Sequence, residues 1–260
     1  MRPRPRLLVT GPHGQSERMC GRLREIGIEP VEVPAVAILP PGSYEELDRA
    51  IATLDRFDWV LVTSQNAVAA MFERLAVVAA GRPLPRLHWA AIGPGTAEAL
   101  RLRGVNSVWI PTRYLSEAVG AEMPAVAGER VLRIRSELAS AAPAELLRER
   151  GIEVDEVVAY RILEAPPASR QRLRDAVEAG VDGVLFTSAS TVRGLLRLAD
   201  ETGLADELRR LPIVVIGPVT ASAVESAGLR PRIVADVHSI DGIVNVLRER
   251  GISHADITPA

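Results

Sequence analysis

This chain repeats itself, and the repeat limits the folds open to it more than any other feature. DWVLVTSQNAV at 58–68 returns as DGVLFTSASTV at 182–192, a shift of 124 positions that keeps the aspartate, Val-Leu, Thr-Ser and the final Val in place. The same shift lays LREIGIE (23–29) on LRERGIE (147–153), IGPGTAEAL (92–100) on IGPVTASAV (216–224), and RLLVT (6–10) on RVLRI (130–134). Self-similarity at one fixed offset marks an internal duplication.

Each copy reads as the same order of elements. In the first, the pattern predicts a strand at 7–9 and a helix over 17–26 that ends on Gly27 as a left-handed cap. An extended segment at 30–39, a helix at 44–54 and a strand at 60–62 follow, then a helix at 66–75, a strand at 89–92, a helix at 96–103, a strand at 107–110 and a helix from 116. Strands alternating with short helices indicate an α/β fold with a parallel sheet covered on both faces, and each copy is long enough for one five-stranded doubly wound unit. Two long runs complicate a simple division. PVEVPAVAILPP (30–41) and VDEVVAYRILEAPP (154–167) are extended and both end in Pro-Pro. At about 3.3 Å per residue each could cover ~30 Å, enough to leave one domain and enter the other. Periodicity leaves open whether the domains exchange segments in this way.

Composition removes many function classes. With 260 residues, 47% of them hydrophobic and 25% charged, the chain can bury one large core or two ordinary ones. No apolar run reaches the length of a membrane span, and MRPRPRLLVT is too short in apolar residues for a signal peptide, so a cytoplasmic protein without a membrane partner is expected. The single cysteine, Cys20, excludes an internal disulfide and a CxxC pair, and it reads as a small buried side chain in preference to a nucleophile. His13, His88, His238 and His254 lack metal-ligand spacing, so no metal is expected. All 31 basic residues are arginine, which excludes a lysine Schiff base, a pyridoxal phosphate anchor and a P-loop lysine. A net charge of −2 gives no nucleic-acid footprint. GPGTAE at 93–98 has glutamate where a dinucleotide fingerprint needs its third glycine, and neither GxSxG nor GxxxxGK[ST] occurs.

What remains are the polar ends of the strands. In open parallel sheets ligands gather at the carboxyl ends, where the next helix presents unpaired N–H groups. Such ends are expected at 10–16, 63–66, 93–96, 135–140, 187–190 and 217–220. They offer Thr10, Ser64, Asn66, Thr96, Ser188, Ser190 and Thr220 as candidate binding residues. Any one of these hydroxyls could equally be an ordinary N-cap. Arg133 is expected on the surface, and Arg135, at its strand end, either on the surface or facing a ligand. Tyr160, in the second long run, is either a packing residue or a phenol donor. The set suits a cleft for a polyanion.

The series GIEPVEVPAVAI, DWVLVTSQNAV, AAIGPGTAEAL, GIEVDEVVAYRI, GVLFTSASTV, VIGPVTASAVESAG and SIDGIVNVL, in that order over essentially the whole chain, resembles the uroporphyrinogen-III synthase family. The resemblance implies a cofactor-free, cytoplasmic enzyme that converts hydroxymethylbilane, a linear tetrapyrrole, into uroporphyrinogen III and water while inverting the terminal pyrrole ring. It implies two flavodoxin-like doubly wound parallel-sheet domains joined by a two-stranded linker, with the active site in the interdomain cleft. One domain then holds 1–35 plus 165–260 and the other 36–164. It also implies a monomer that receives its substrate by transient handover from the preceding enzyme of the pathway. Ser64, Thr96, Tyr160, Ser188 and Thr220 match family cleft positions, and Tyr160 matches the tyrosine considered as proton donor to the departing hydroxyl. RIRSELASAAPAEL at 133–146 lacks the glycines usual in the family's turn there, which sets Arg135 apart. A different class also fits two α/β lobes with helix N-termini at strand ends: a bilobal protein that binds an anionic small molecule without turning it over.

Overall fold

The computed structural model describes residues 4–14 and 16–251. From the N-terminus the elements are β1 (Arg6–Val9), α1 (Glu17–Glu25), β2 (Glu29–Glu32), β3 (Val36–Leu39), α2 (Glu45–Ala52), β4 (Trp59–Val62), α3 (Gln65–Val78), β5 (His88–Ala91), α4 (Pro94–Arg101) and α5 (Ser116–Glu122). They continue as β6 (Arg130–Ser136), α6 (Ala142–Glu149), β7 (Glu153–Glu164), α7 (Ser169–Glu178), β8 (Gly183–Phe186), α8 (Ala189–Thr202), α9 (Ala205–Arg209), β9 (Ile213–Val215), α10 (Pro218–Ser226), β10 (Ile233–Val234) and α11 (Ile240–Arg250). The described residues group into two compact units, one built from the segment ending at Ala37 and the segment beginning at Leu163, the other from Ile38–Ile162.

In the first unit the sheet order is β10-β9-β8-β1-β2. β1 lies between β2 and β8 and runs parallel to both, Leu7 standing opposite Pro30 on one side and Gly183 on the other. Side chains alternate across this sheet because a strand points successive residues to opposite faces. Leu7, Val9, Leu185 and Val214 pack with Met19, Leu23, Ile243 and Leu247 of α1 and α11. Leu8, Val184, Phe186, Ile213 and Val215 pack with Leu173, Leu195, Leu198 and Val224 of α7, α8 and α10. The runs LLV, VLF and VV are therefore apolar throughout because both faces are covered.

The second unit repeats the plan with the order β3-β7-β6-β4-β5. β4 runs parallel to β5 and β6, and β6 parallel to β7. Trp59, Leu61, Ala90 and Val131 face Val119 of α5, Met123 just after that helix and Leu147 of α6. Val60, Val62, Ala91, Leu132 and Ile134 face Leu47, Met71 and Leu100 of α2, α3 and α4.

Two expectations change in detail. The extended run at 30–41 is two strands, since β2 stops at Glu32 and β3 starts at Val36; Pro34 between them has no N–H to continue a ladder. Its counterpart is one unbroken strand of 12 residues, β7. That strand is followed by Ala165, whose φ of 55° makes it the one non-glycine residue with positive φ among the described residues, just before Pro166 and Pro167. The strand expected at 107–110 shrinks to a single bridge between Trp109 and Ala90, while the matching place in the second copy keeps the two-residue β10. No described helix is long and apolar enough to cross a membrane.

Candidate functional site

Within each unit the parallel strands bring their carboxyl ends to one edge of the sheet. On the Ile38–Ile162 unit β4 ends on Thr63 and Ser64. Ser64 has extended backbone, φ −160° and ψ 158°, and its Oγ accepts the Ala67 N–H as the N-cap of α3. The Tyr160 phenol oxygen lies 3.0 Å from that same Oγ. Tyr160 is 6% exposed and packs in the core with Val60, Val62 and Ala159, so its ring is clamped and only its hydroxyl is directed to the strand ends. The ring of Tyr160 is thus a packing group, and its hydroxyl shares a hydrogen bond with Ser64 in which either oxygen can donate. The pair joins two hydroxyls and a helix N-terminus at one point, an arrangement that can pass a proton outward or hold an oxygen anion.

The β5 end carries Gly93 as N-cap of α4, followed by Pro94 in its first turn. Thr96 is buried in that turn. Asn66 is half-buried in the first turn of α3. Arg135 lies where the β6/β7 register shifts between Arg135 and Ser136. Its Nη1 donates to the carbonyls of Ser136 and Glu137, both at 2.9 Å, and its Nε is 3.1 Å from Glu156 Oε1. The guanidinium thus braces its own turn.

Beneath it lies a group the sequence reading placed differently. Arg133 is expected on the surface, yet it is 1% exposed. It stands opposite Glu156 in the β6/β7 register, with Nη1 2.6 Å from Glu156 Oε1 and Nη2 donating to the Ser140 carbonyl at 2.6 Å. Arg148 reaches the other oxygen of Glu156 at 3.3 Å. Burial lowers the pKa of Arg133, and the Glu156 carboxylate opposes that shift. Alternation along β6 places Arg133 on the inner face, and what makes burial tolerable is the carboxylate of an adjacent strand.

The other unit presents the duplicated counterparts. Ser188, φ −163° and ψ 162°, caps α8 in a capping box with Thr191. Ser190 Oγ lies 3.0 Å from Ser188 Oγ. Gly217 and Pro218 start α10, with Thr220 buried in its first turn. Thr10 follows β1, fully buried, and its hydroxyl donates to the Leu185 carbonyl at 2.7 Å, so that oxygen ties β1 to β8.

The candidates thus fall into two sets, each within its own unit: Ser64, Asn66, Thr96, Arg135 and Tyr160 in one, and Thr10, Ser188, Ser190 and Thr220 in the other. Sequence reasoning missed Thr191, Arg133 and Glu156 as parts of this architecture. Thr191 was legible as the fourth position of the pattern S-x-x-T after a strand. Glu156 was not, because strand register is needed to place it beside Arg133.

The chain matches the family model described as "Uroporphyrinogen-III synthase HemD" over residues 17–245. It is 30% identical over 248 residues to a uroporphyrinogen-III synthase of Synechococcus elongatus, covering 94% of each chain. Among solved structures, a mutant uroporphyrinogen III synthase of Thermus thermophilus superposes with a TM-score of 0.65 at 22% identity, covering 94% of this chain and 98% of that one. The uroporphyrinogen-III synthetase of Helicobacter pylori gives 0.60 at 16% identity, covering 94% and 99%. These two structural likenesses speak for the fold.

Proposed function

This chain belongs to the uroporphyrinogen-III synthase family, and we propose on that premise that it closes hydroxymethylbilane to uroporphyrinogen III with loss of water and inversion of the terminal ring. The observation that carries the reading is the match to family and relative over nearly the whole chain, together with the paired hydroxyls of Ser64 and Tyr160 at a helix start. We propose Tyr160 as the proton donor, with Ser64 holding its phenol. Thr10, Asn66, Thr96, Arg135, Ser188, Ser190 and Thr220 are proposed to shape the strand ends that hold substrate.

The chemistry asks little of any one group. The pyrrole nitrogen supplies electrons as the hydroxymethyl C–O bond breaks, an azafulvene forms, and the hydroxyl leaves as water with a proton from the acid. The harder task is steering the substituted carbon of the terminal ring into attack, which is a matter of position. Helix N-termini give each substrate carboxylate roughly 0.3 to 1 kcal/mol, more where partly buried. The substrate carries eight, so several such contacts hold a flexible chain. We further propose a two-domain flavodoxin-like arrangement with segments 1–35 plus 165–260 and 36–164, a cleft between the domains as the active site, a cytoplasmic monomer, and handover of substrate from the preceding enzyme.

The test is the isomer ratio of the porphyrin recovered after oxidation, following incubation with freshly made hydroxymethylbilane. Spontaneous closure gives isomer I, so an excess of isomer III is expected. Isomer I alone would leave the bilobal binder as the better description.

A further inference from the structure

The duplication places a ring against a glycine in each unit. An added Cβ on Gly93, at the end of β5, would lie 3.4 Å from Cβ and Cγ of Tyr114. One on Gly217, at the end of β9, would lie 2.8 Å from Cδ2 and 2.9 Å from Cγ of His238. Tyr114 and His238 are themselves related by the shift of 124 positions that relates the two glycines. Each stands at the apex of a three-residue turn of the same kind. The Leu115 N–H donates to the Arg113 carbonyl at 2.8 Å, and the Ser239 N–H to the Val237 carbonyl at 2.7 Å.

The two turns are held by different means. In the first, Glu122 accepts the backbone N–H of Thr112 at 2.7 Å and its hydroxyl at 2.8 Å, and these bonds hold the Glu122 carboxyl below its ordinary pKa. In the second, Ser239 Oγ accepts the Gly242 N–H at 3.1 Å. The lack of a side chain on Gly242 there lets the Val237 carbonyl approach α11 more closely than any Cβ would allow. Different residues thus preserve one outcome, a fixed turn that lays a ring over the glycine of the strand tip.

Neither ring is packed away. Tyr114 is 49% exposed, His238 is exposed, and Val219 and Val237 beside the second tip are exposed as well. Tyrosine and histidine share a flat face and a hydrogen-bonding edge. A pyrrole bearing carboxylate arms offers the matching pair of features: a flat apolar face for the ring and anions for the edge and for the N–H groups that begin α4 and α10.

We propose that Tyr114 and His238 are substrate-contact residues, each supplying the face on which a carboxylate-bearing pyrrole ring settles at the tip of its strand. The inference rests on the reading of this chain as a uroporphyrinogen-III synthase. The missing side chain of Gly217 then leaves room for the imidazole, whereas a Cβ on Gly93 would only touch Tyr114; the extended backbone of both glycines, φ −171° and 174°, would accept any residue.

Steady-state kinetics with freshly made hydroxymethylbilane tests it. Tyr114→Ala and His238→Ala are each expected to raise KM about tenfold, the size of one lost ring contact, with kcat within about twofold of wild type. Gly217→Ala puts a methyl group in the seat of the imidazole and is expected to reproduce the His238→Ala loss. The double variant should lose no more than His238→Ala alone. Unchanged KM in both alanine variants of an active enzyme, or additive losses for Gly217 and His238, would overturn the inference alone. A wild-type chain that makes no isomer III would overturn the assignment of function, and this inference with it.

Discussion

The Tyr160 phenol oxygen meets Ser64 Oγ at 3.0 Å, so a side chain of β7 reaches past the end of β6 to the residue that caps α3. Tyr160→Phe removes the proposed donor but leaves the clamped ring in place. It is expected to slow isomer III formation about tenfold without abolishing it, because positioning supplies most of the rate. An unchanged rate of isomer III formation, measured by separating the oxidised porphyrins, would remove Tyr160 from the mechanism.

Ser64→Ala and Ser188→Ala each delete a cap, and each should cost about 1 kcal/mol in urea unfolding. Ser64→Ala also takes away the partner of the Tyr160 phenol. Combining it with Tyr160→Phe should therefore cost less activity than the two single losses multiplied. Fully multiplicative losses would show that the two hydroxyls act separately.

Glu156 is shared by Arg133, Arg135 and Arg148. Glu156→Gln leaves three guanidinium groups facing one another around a buried member and is expected to cost about 3 kcal/mol. Arg133→Met, which removes the buried charge and leaves Glu156 paired with two arginines, should cost less. Equal losses in urea denaturation would contradict this account of the cluster.

Gly194 in α8 sits so close to the Ala35 carbonyl that an added Cβ would collide with backbone atoms. That carbonyl also accepts the Ala165 N–H at 2.9 Å and cannot move aside freely. Gly194→Ala is expected to destabilise the first unit by about 3 kcal/mol, even though alanine favours helices. A stabilised variant in thermal unfolding would refute the close packing.

Burial, helped by the nearby Glu32 carboxylate, raises the Cys20 thiol from 9.0 to about 11. The folded chain therefore holds this proton longer than the unfolded one. Its contribution to stability is complete below pH about 9 and is lost as pH rises through about 11, a fall of up to roughly 2.7 kcal/mol. Cys20→Ala should flatten that part of the stability profile. A profile that falls as steeply in the variant would assign the loss to other groups.

The strand cores and the helix starts were legible in the sequence because they depend on local pattern. Val60, Leu61 and Val62 could only be a covered strand, and Ser64 and Ser188 stand where a cap belongs. Arg133 was misplaced because alternation fixes its face but not what covers that face. Glu156 lies 23 positions away and becomes its neighbour only through strand register. The 107–110 strand failed for a related reason: pattern shows that a segment can extend, while the number of ladder bonds it makes depends on an edge partner. Tyr114 and His238 were within reach, since the duplication aligns them, but it is the turn leading into α5 or α11 that brings the ring against its glycine.

The pairing of β1 with β8 sets an order of events during synthesis. Residues 38–162, an unbroken stretch, carry nearly all of the strands of one sheet and can collapse as soon as they leave the ribosome. Leu7 and Leu8 must wait for Gly183 and Val184. Until some 175 further residues have been made, β1 keeps one edge of backbone N–H and C=O groups unpaired, and β2 alone guards the other. A chain cut short before β8 would therefore leave β1 with that edge open, an invitation to aggregation and to proteolysis there.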